Sequence, residues 1–216
     1  PDQGMITQDK DAALAAFAEA GYSLDGDRLV DGNGEQLEFA LTTANGFTDW
    51  TRAAQTVRSQ LADVGVKVTL KLPQPAGYQS AISNGDFEMA IGGMGNGDVY
   101  QAYNNLLSSE FYVPSGEPTA NNFERYSSEK VDALLAEYRE TVDTTRQAEI
   151  VKELQGIVYD EMPVIGLYYG GIWGLFSDAK FTGWPSEEDP YMIPQNYDSA
   201  PLMIFTHLKR VKGDDR

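Results

Sequence analysis

No cysteine occurs among the 216 residues and only one histidine, His207, is present. The first absence excludes disulfides and thiolate metal sites, and the second removes the usual base for nucleophilic catalysis and the usual ligands of a transition metal. Cations are scarce too: 16 Lys and Arg face 33 Asp and Glu, and the longest basic group is Lys209, Arg210 and Lys212. Nucleic acid and anionic membrane surfaces both need a basic footprint, so neither is an expected partner, and the acidity reads as solubility. No apolar run approaches the roughly 20 residues of a membrane span, and no signal peptide is present. The chain opens at Pro1, directly before a helical pattern, as a processed or trimmed product would.

What is present is a globular composition, 42% apolar and 11% aromatic, enough to bury a core. Asp9 to Ala20 carries an apolar stripe through Leu14, Phe17 and Ala18 with Gly21 behind it, which predicts a helix with a glycine stop. Asp31-Gly32-Asn33-Gly34 predicts a tight hairpin between Arg28 to Val30 and Leu37 to Thr42. The acids nearby do not form a calcium loop, because an EF-hand opening on Asp25 or Asp27 lacks both the glycine at position six and the glutamate at twelve.

Thr48 is expected to cap a second helix with Trp50, Ala54, Val57, Leu61 and Val64 on its apolar face, Trp50 being core. Val66 to Leu72 alternates strictly, with Lys67, Thr69 and Lys71 on the wetter side, so a strand near a sheet edge or with one face partly open is predicted. A short helix at Tyr78 to Ser83 and a strand at Phe87 to Ile91 follow. The order strand, helix, strand, helix, strand implies α/β architecture with right-handed crossovers and a mixed, mostly parallel sheet flanked by helices. A helix at Tyr100 to Ser108, and an antiparallel pair at Ser128 to Glu140 and Asp143 to Glu161 packed on the sheet, come next. Val164 to Phe176 reads as a strand, a Gly-Gly break and a second apolar run. From Asp178 onward prolines, acids and aromatics dominate, and residues 179–216 resemble a tail wrapped on a surface.

The stretch with chemical character is Phe87 to Asn105, FEMAIGGMGNGDVYQAYNN, where a strand empties into four glycines within six residues. Exposed backbone at a strand end is where α/β proteins place ligands, although a long turn would use the same glycines for geometry alone. A P-loop would end in Gly-Lys-Ser/Thr and the chain has Gly97-Asp98-Val99; the dinucleotide fingerprint is missing as well. Asp98 would repel phosphate. A neutral or cationic polar ligand fits better, held by backbone at Gly93, Met94 and Gly95 and by Asn96 and Asp98 as acceptors. Tyr100, Tyr103, Phe111 and Tyr112 after the loop, Tyr168, Tyr169 and Trp173 around Gly170-Gly171, and Trp184 with Tyr191 would stack on sugars or cover apolar side chains if exposed; most of them are expected to be core, and Tyr100, Trp173 and Trp184 are the site candidates. Carboxylate pairs such as Glu187 with Asp98, or Glu110 with Glu117, carry no spacing that singles them out for glycoside hydrolysis.

Seven blocks in order, DAALAAFAEAGY, the DGNGE turn, QLADVGVKV, GYQSAISNGDFEMAIGG, RYSSEKVDALLAEYRETVD, RQAEIVKELQGIVYDEMPVIGLY and PLMIFTHLKRV, resemble the C-terminal half of the family 5 extracellular solute-binding proteins. The resemblance runs over nearly the whole chain and implies one lobe, residues 1–178, of a clamshell with the periplasmic-binding-protein fold. Residues 179–216 would return to a missing N-terminal lobe. It further implies no catalysis and no cofactor. The implied partners are an oligosaccharide or oligopeptide ligand and the membrane permease of an ATP-driven importer, and the implied location is extracellular or periplasmic, with a lipid anchor upstream in many members. In peptide-binding members an acid after the strand matching Phe87 to Ile91 pairs with the peptide amine, and Asp98 or Asn96 occupies that place here. Gly183-Trp184-Pro185 with Glu187 and Pro190-Tyr191 resembles the oligosaccharide branch and tips the balance toward sugar. A carboxylate-based glycan hydrolase and a sensor domain reusing the fold are the alternatives.

Overall fold

The computed structural model describes residues 7–93, 97–171, 174–197 and 199–211. The chain forms two compact units, Pro1–Ile165 and Gly166–Arg216. The sequence reading placed a boundary at 178/179.

Helix α1 (Lys10–Glu19) starts where the Asp9 carboxylate accepts the Ala12 N–H at 2.9 Å, and Gly21 leaves it at φ +90°. Strands β1 (Ser23–Asp25) and β2 (Arg28–Val30) then pair antiparallel across Gly26, itself at φ +65°. The tight hairpin therefore lies one turn earlier than the sequence suggests. The Asp31 to Gly34 turn does form, but its far side contributes only the bridge from Val30 to Gln36, because the following strand is taken up elsewhere. Within that turn the Asp31 carboxylate accepts the backbone N–H groups of Glu35 and Asn33, which hold its pKa below the ordinary value. The acid is committed to its own loop.

Strand β3 (Glu38–Thr42) is the centre of a three-stranded parallel sheet, with β4 (Lys67–Lys71) on one side and β5 (Met89–Ala90) on the other. The edge position of β4 matches its alternation: Val68 is buried, while Lys67, Thr69 and Lys71 are exposed. β5 is shorter than its apolar run suggests. Ahead of Met89 the ladder is continued by a side chain, the Glu88 carboxylate accepting the Ala40 N–H at 2.5 Å. Helix α2 (Thr48–Ala62) links β3 to β4, and α3 (Pro75–Asn84) links β4 to β5. Leu29, Leu41, Ala54, Val64, Val66, Val68 and Ile91 form the core between sheet and helices. Gly65, at φ +84°, is enforced by the Leu29 backbone nitrogen 2.6 Å from where a Cβ would stand.

Helix α4 (Val99–Leu107), a short 3-10 turn at Ser109–Phe111, α5 (Glu129–Glu140) and α6 (Thr144–Glu161) build a second core around Leu107, Val131, Leu134, Leu135, Ile150, Leu154 and Ile157. The expected α5–α6 pair is present. Its buried face meets α4 where the sequence reading had placed it against the sheet, since Tyr100, Tyr103 and Leu106 supply the apolar surface it needs. Asp132 staples α5 to the 3-10 turn by accepting from Ser109 Oγ and from its N–H.

In the second unit, β6 (Phe181–Thr182) pairs antiparallel with β7 (Lys209–Arg210), and α7 (Ala200–His207) lies between them in sequence. The strand expected in Val164 to Phe176 is not formed in its described residues. Ile165, Tyr169 and Leu175 are exposed to 69%, 104% and 90%, and an apolar segment without a neighbouring strand has nothing to register against.

Leu107 is fully buried where α4 meets α5 and α6. Leu107→Ala is expected to cost about 2–5 kcal/mol in urea unfolding, by lost transfer energy and a residual cavity.

Candidate ligand site at the carboxyl edge of the sheet

All three parallel strands point the same way, so the segments leaving them gather at one edge: residues 43–47 after β3, 72–74 after β4 and 91–93 after β5. In open α/β sheets this carboxyl edge is where ligands bind. A small core of Ala44, Tyr78 and Ile82, joined by Trp50, Phe87, Ala90 and Phe123, anchors the edge. At its centre Tyr78 donates its hydroxyl to the Ile91 carbonyl at 3.0 Å. The approach requires Gly92, because a Cβ there would stand 2.6 Å from the Tyr78 oxygen. Burial pushes the Tyr78 phenol above its ordinary pKa, so it remains a donor.

Gly93 lies beside the Trp50 ring, with Trp50 Cζ2 3.6 Å from the place of a Cβ. Trp50 itself, expected to be plain core, is half-buried and sandwiched between Tyr78, centroids 5.9 Å apart, and the exposed Phe47, stacked at 4.8 Å. Thr48 is the first residue of α2 and does not cap it. The cap position falls on Phe47, which offers no side-chain hydrogen bond.

Asp98 is the N-cap of α4, its Oδ1 accepting the Gln101 N–H at 2.8 Å, which leaves the second oxygen outside that bond. Tyr100 is half-buried in the first turn of α4, stacked on Tyr138 at 5.7 Å and hydrogen-bonded to Asn104. Its ring belongs to the packing of the second core. Trp184 lies in the second unit, where it stacks on Phe176 at 5.1 Å and donates its indole N–H to the Phe181 carbonyl. With Leu175, Phe176, Pro185, Pro194 and Ile204 it lines a groove of about 380 Å³. Met94, Gly95, Asn96 and Trp173 lie outside the described residues. Gly93 and Asp98 thus share the loop leaving β5. Phe47 was missed by reading the sequence, and its signal was a ring standing where a capping side chain is ordinary.

A loop crossing from the second core adds Phe123 to the small core around Tyr78 and is tied to the far end of α3, ahead of β5. Asn122 and Arg125 both adopt positive φ, 46° and 56°. Buried Asn122 donates to the carbonyls of Ser108 and Tyr126, while the Arg125 guanidinium donates to those of Phe123, Ser83 and Glu117. Between them Glu124 is desolvated, its Oε1 buried without a partner, and burial raises its pKa to about 7. Among the described residues no group of three or more His, Asp or Glu is placed to hold a metal ion.

Residues 1–138 match the bacterial extracellular solute-binding proteins, family 5 Middle. The chain belongs to this family. Solved structures agree in fold. A periplasmic oligopeptide-binding protein of Thermotoga maritima, in its mannohexaose-bound form, superposes with a TM-score of 0.87 at 23% identity over 98% of this chain. AppA of Bacillus subtilis, in complex with a nonapeptide, gives 0.60 at 16% identity over 74% of this chain, and 33% of AppA is covered. MelB of Agrobacterium fabrum, in complex with stachyose, gives 0.60 at 16% over 72%, with 25% of MelB covered. The chain spans 41% of the length of the Thermotoga protein. No curated protein matches it. The family is one of binding proteins, and among the described residues no helix is long and apolar enough to cross a membrane.

Two outcomes are expected. Asp98→Ala should destabilise the protein by about 0.5–2 kcal/mol through loss of the α4 cap, with Asp98→Asn close to wild type. Glu124 binds its proton more tightly folded than unfolded, so its contribution to stability falls as pH rises from its ordinary value of 4.5 to about 7 and is level beyond. Glu124→Gln should flatten that part of the stability curve, measured by urea melts at successive pH values.

Proposed function

We propose that the chain is one lobe of the solute receptor of an ATP-driven importer, closing with a second lobe on an oligosaccharide or oligopeptide and presenting it to a membrane permease outside the cytoplasm. The observation that carries the reading is the glycine-opened carboxyl edge, which leaves backbone and the Asp98 carboxylate beside a parallel sheet. Membership of a solute-binding family supports it. In this reading Gly93, Met94, Gly95, Asn96 and Asp98 belong to one wall of the cleft, Trp173 and Trp184 are proposed as stacking rings of the smaller unit, and the role is binding without turnover.

Oligosaccharide is the favoured ligand class. The three edge segments, the last continued to Asp98, hold amides, a threonine and one carboxylate, and no lysine or arginine stands in 43–47, 72–74 or 91–98 to neutralise a peptide carboxylate. A solute rich in hydroxyls needs no such charge. The Thermotoga and Agrobacterium structures hold mannohexaose and stachyose, whereas AppA holds a nonapeptide, and both classes occur on the fold. Residues 179–216 are assigned the return path to the second lobe, a role that suits the exposed Leu202 and Phe205 of α7.

Calorimetric titration of the two-lobed protein containing this chain against oligosaccharide and peptide panels tests the proposal. Saturable binding of an oligosaccharide is expected, and no binding of either class would overturn it. The fragment alone should bind at least about a hundredfold more weakly, because lobe closure supplies much of the ligand's burial.

A further inference from the structure

The geometry points to Phe47, backed by Trp50, as the stacking face for a sugar ring of the bound solute, an assignment that rests on the receptor reading above. The carrying observation is a ring in a place that folding alone does not call for. The first position of a helix cap favours Ser, Thr, Asp or Asn, whose oxygen can accept an orphan N–H. Here that position holds a phenylalanine that makes no such bond and keeps 44% of its surface exposed. Its ring stacks on Trp50 at 4.8 Å with 28° between planes. Trp50 in turn leans on Tyr78, and Tyr78 is fixed by its bond to the Ile91 carbonyl. Three rings therefore run from solvent to the end of β5, and the outermost is held rigid without being buried.

Pyranose rings present an apolar face of C–H groups to such a platform and hydroxyls around their rim. The surroundings suit both parts. Gly93 keeps the side of Trp50 clear of side chains. Within the same edge, the exposed Asn45, Gln74 and Asp98 are amide and carboxylate groups of the kind that hydrogen-bond sugar hydroxyls. An apolar peptide side chain could cover the same ring. The peptide's terminal carboxylate, however, would find no cation in these three segments. A neutral oligosaccharide is the occupant that fits both the ring and the charge pattern.

The test uses the two-lobed protein, titrated with neutral cello-, malto- and manno-oligosaccharides from disaccharide to hexasaccharide and, in parallel, with a mixed peptide panel. The wild type is expected to bind at least one oligosaccharide. Phe47→Ala and Phe47→Leu should each weaken that binding by about tenfold or more, Leu because it keeps apolar cover but loses the flat face. Phe47→Trp should stay within about threefold of wild type. Melting temperatures of the Leu and Trp variants should lie close to wild type, separating a binding role from a structural one. Wild-type affinity retained in both Phe47→Ala and Phe47→Leu would overturn the stacking assignment while leaving the receptor reading intact, and so would a wild type that binds peptides alone. A wild type that binds no solute of either class would overturn the receptor reading itself.

Discussion

Parallel pairing on both sides of one five-residue strand is the constraint from which the rest of the larger unit follows. Glu38–Thr42 aligns with Lys67–Lys71 on one flank and with Met89–Ala90 on the other. Parallel neighbours cannot be joined by tight turns, so each connection carries a helix, and every chain exit falls at the same edge. That edge inherits whatever chemistry the exits carry. Here they carry glycine, amides and aromatic rings, held in place by the contact between Tyr78 and the backbone at Ile91 and Gly92. Rigid strands and open backbone meet at that edge by strand order alone.

Much of this was legible in the residues, and the failures have physical causes. Alternation of Val66, Val68 and Leu70 with Lys67, Thr69 and Lys71 was enough to identify β4 and its edge position, because one-sided burial writes itself directly into a period of two. The helices were visible through their stripes and stops. The hairpin was misplaced because two glycine-containing acidic turns stand close together, and local sequence cannot say which one a strand partner will select. The α5–α6 pair was seated on the wrong neighbour because an apolar face is non-directional and records only that something covers it. Val164 to Phe176 has strand composition, but a strand is a pairing, and pairing is not a property of one segment.

The candidate site divides along the same line. Gly92 could be marked as unusual from sequence, yet the reason it must lack a Cβ is a hydroxyl fourteen residues away in the chain, close only after α3 folds back. Asp98 was found as an acid after the glycines. Its capping bond to Gln101 emerges only with the helix. Trp50 looked like core because rings usually are, Phe47 was not singled out at all, and the partial exposure of their stack emerges only with the fold.

The Arg125 brace has a consequence for how such a protein can change. Its guanidinium ties Ser83, at the end of α3, to the loop around 117–125, and the same junction is doubled by backbone bonds from Gly116 to Asn84 and from Thr119 to Ser83. The segment that follows β5 and α4 is thus clasped to the end of α3, the helix that leads into β5. Such a closed excursion behaves as a cassette. Lengthening it costs little, since doubling a flexible loop adds only about 0.6 kcal/mol of closure entropy. The segment can then be rebuilt by insertion or deletion between fixed posts, without re-registering a single strand.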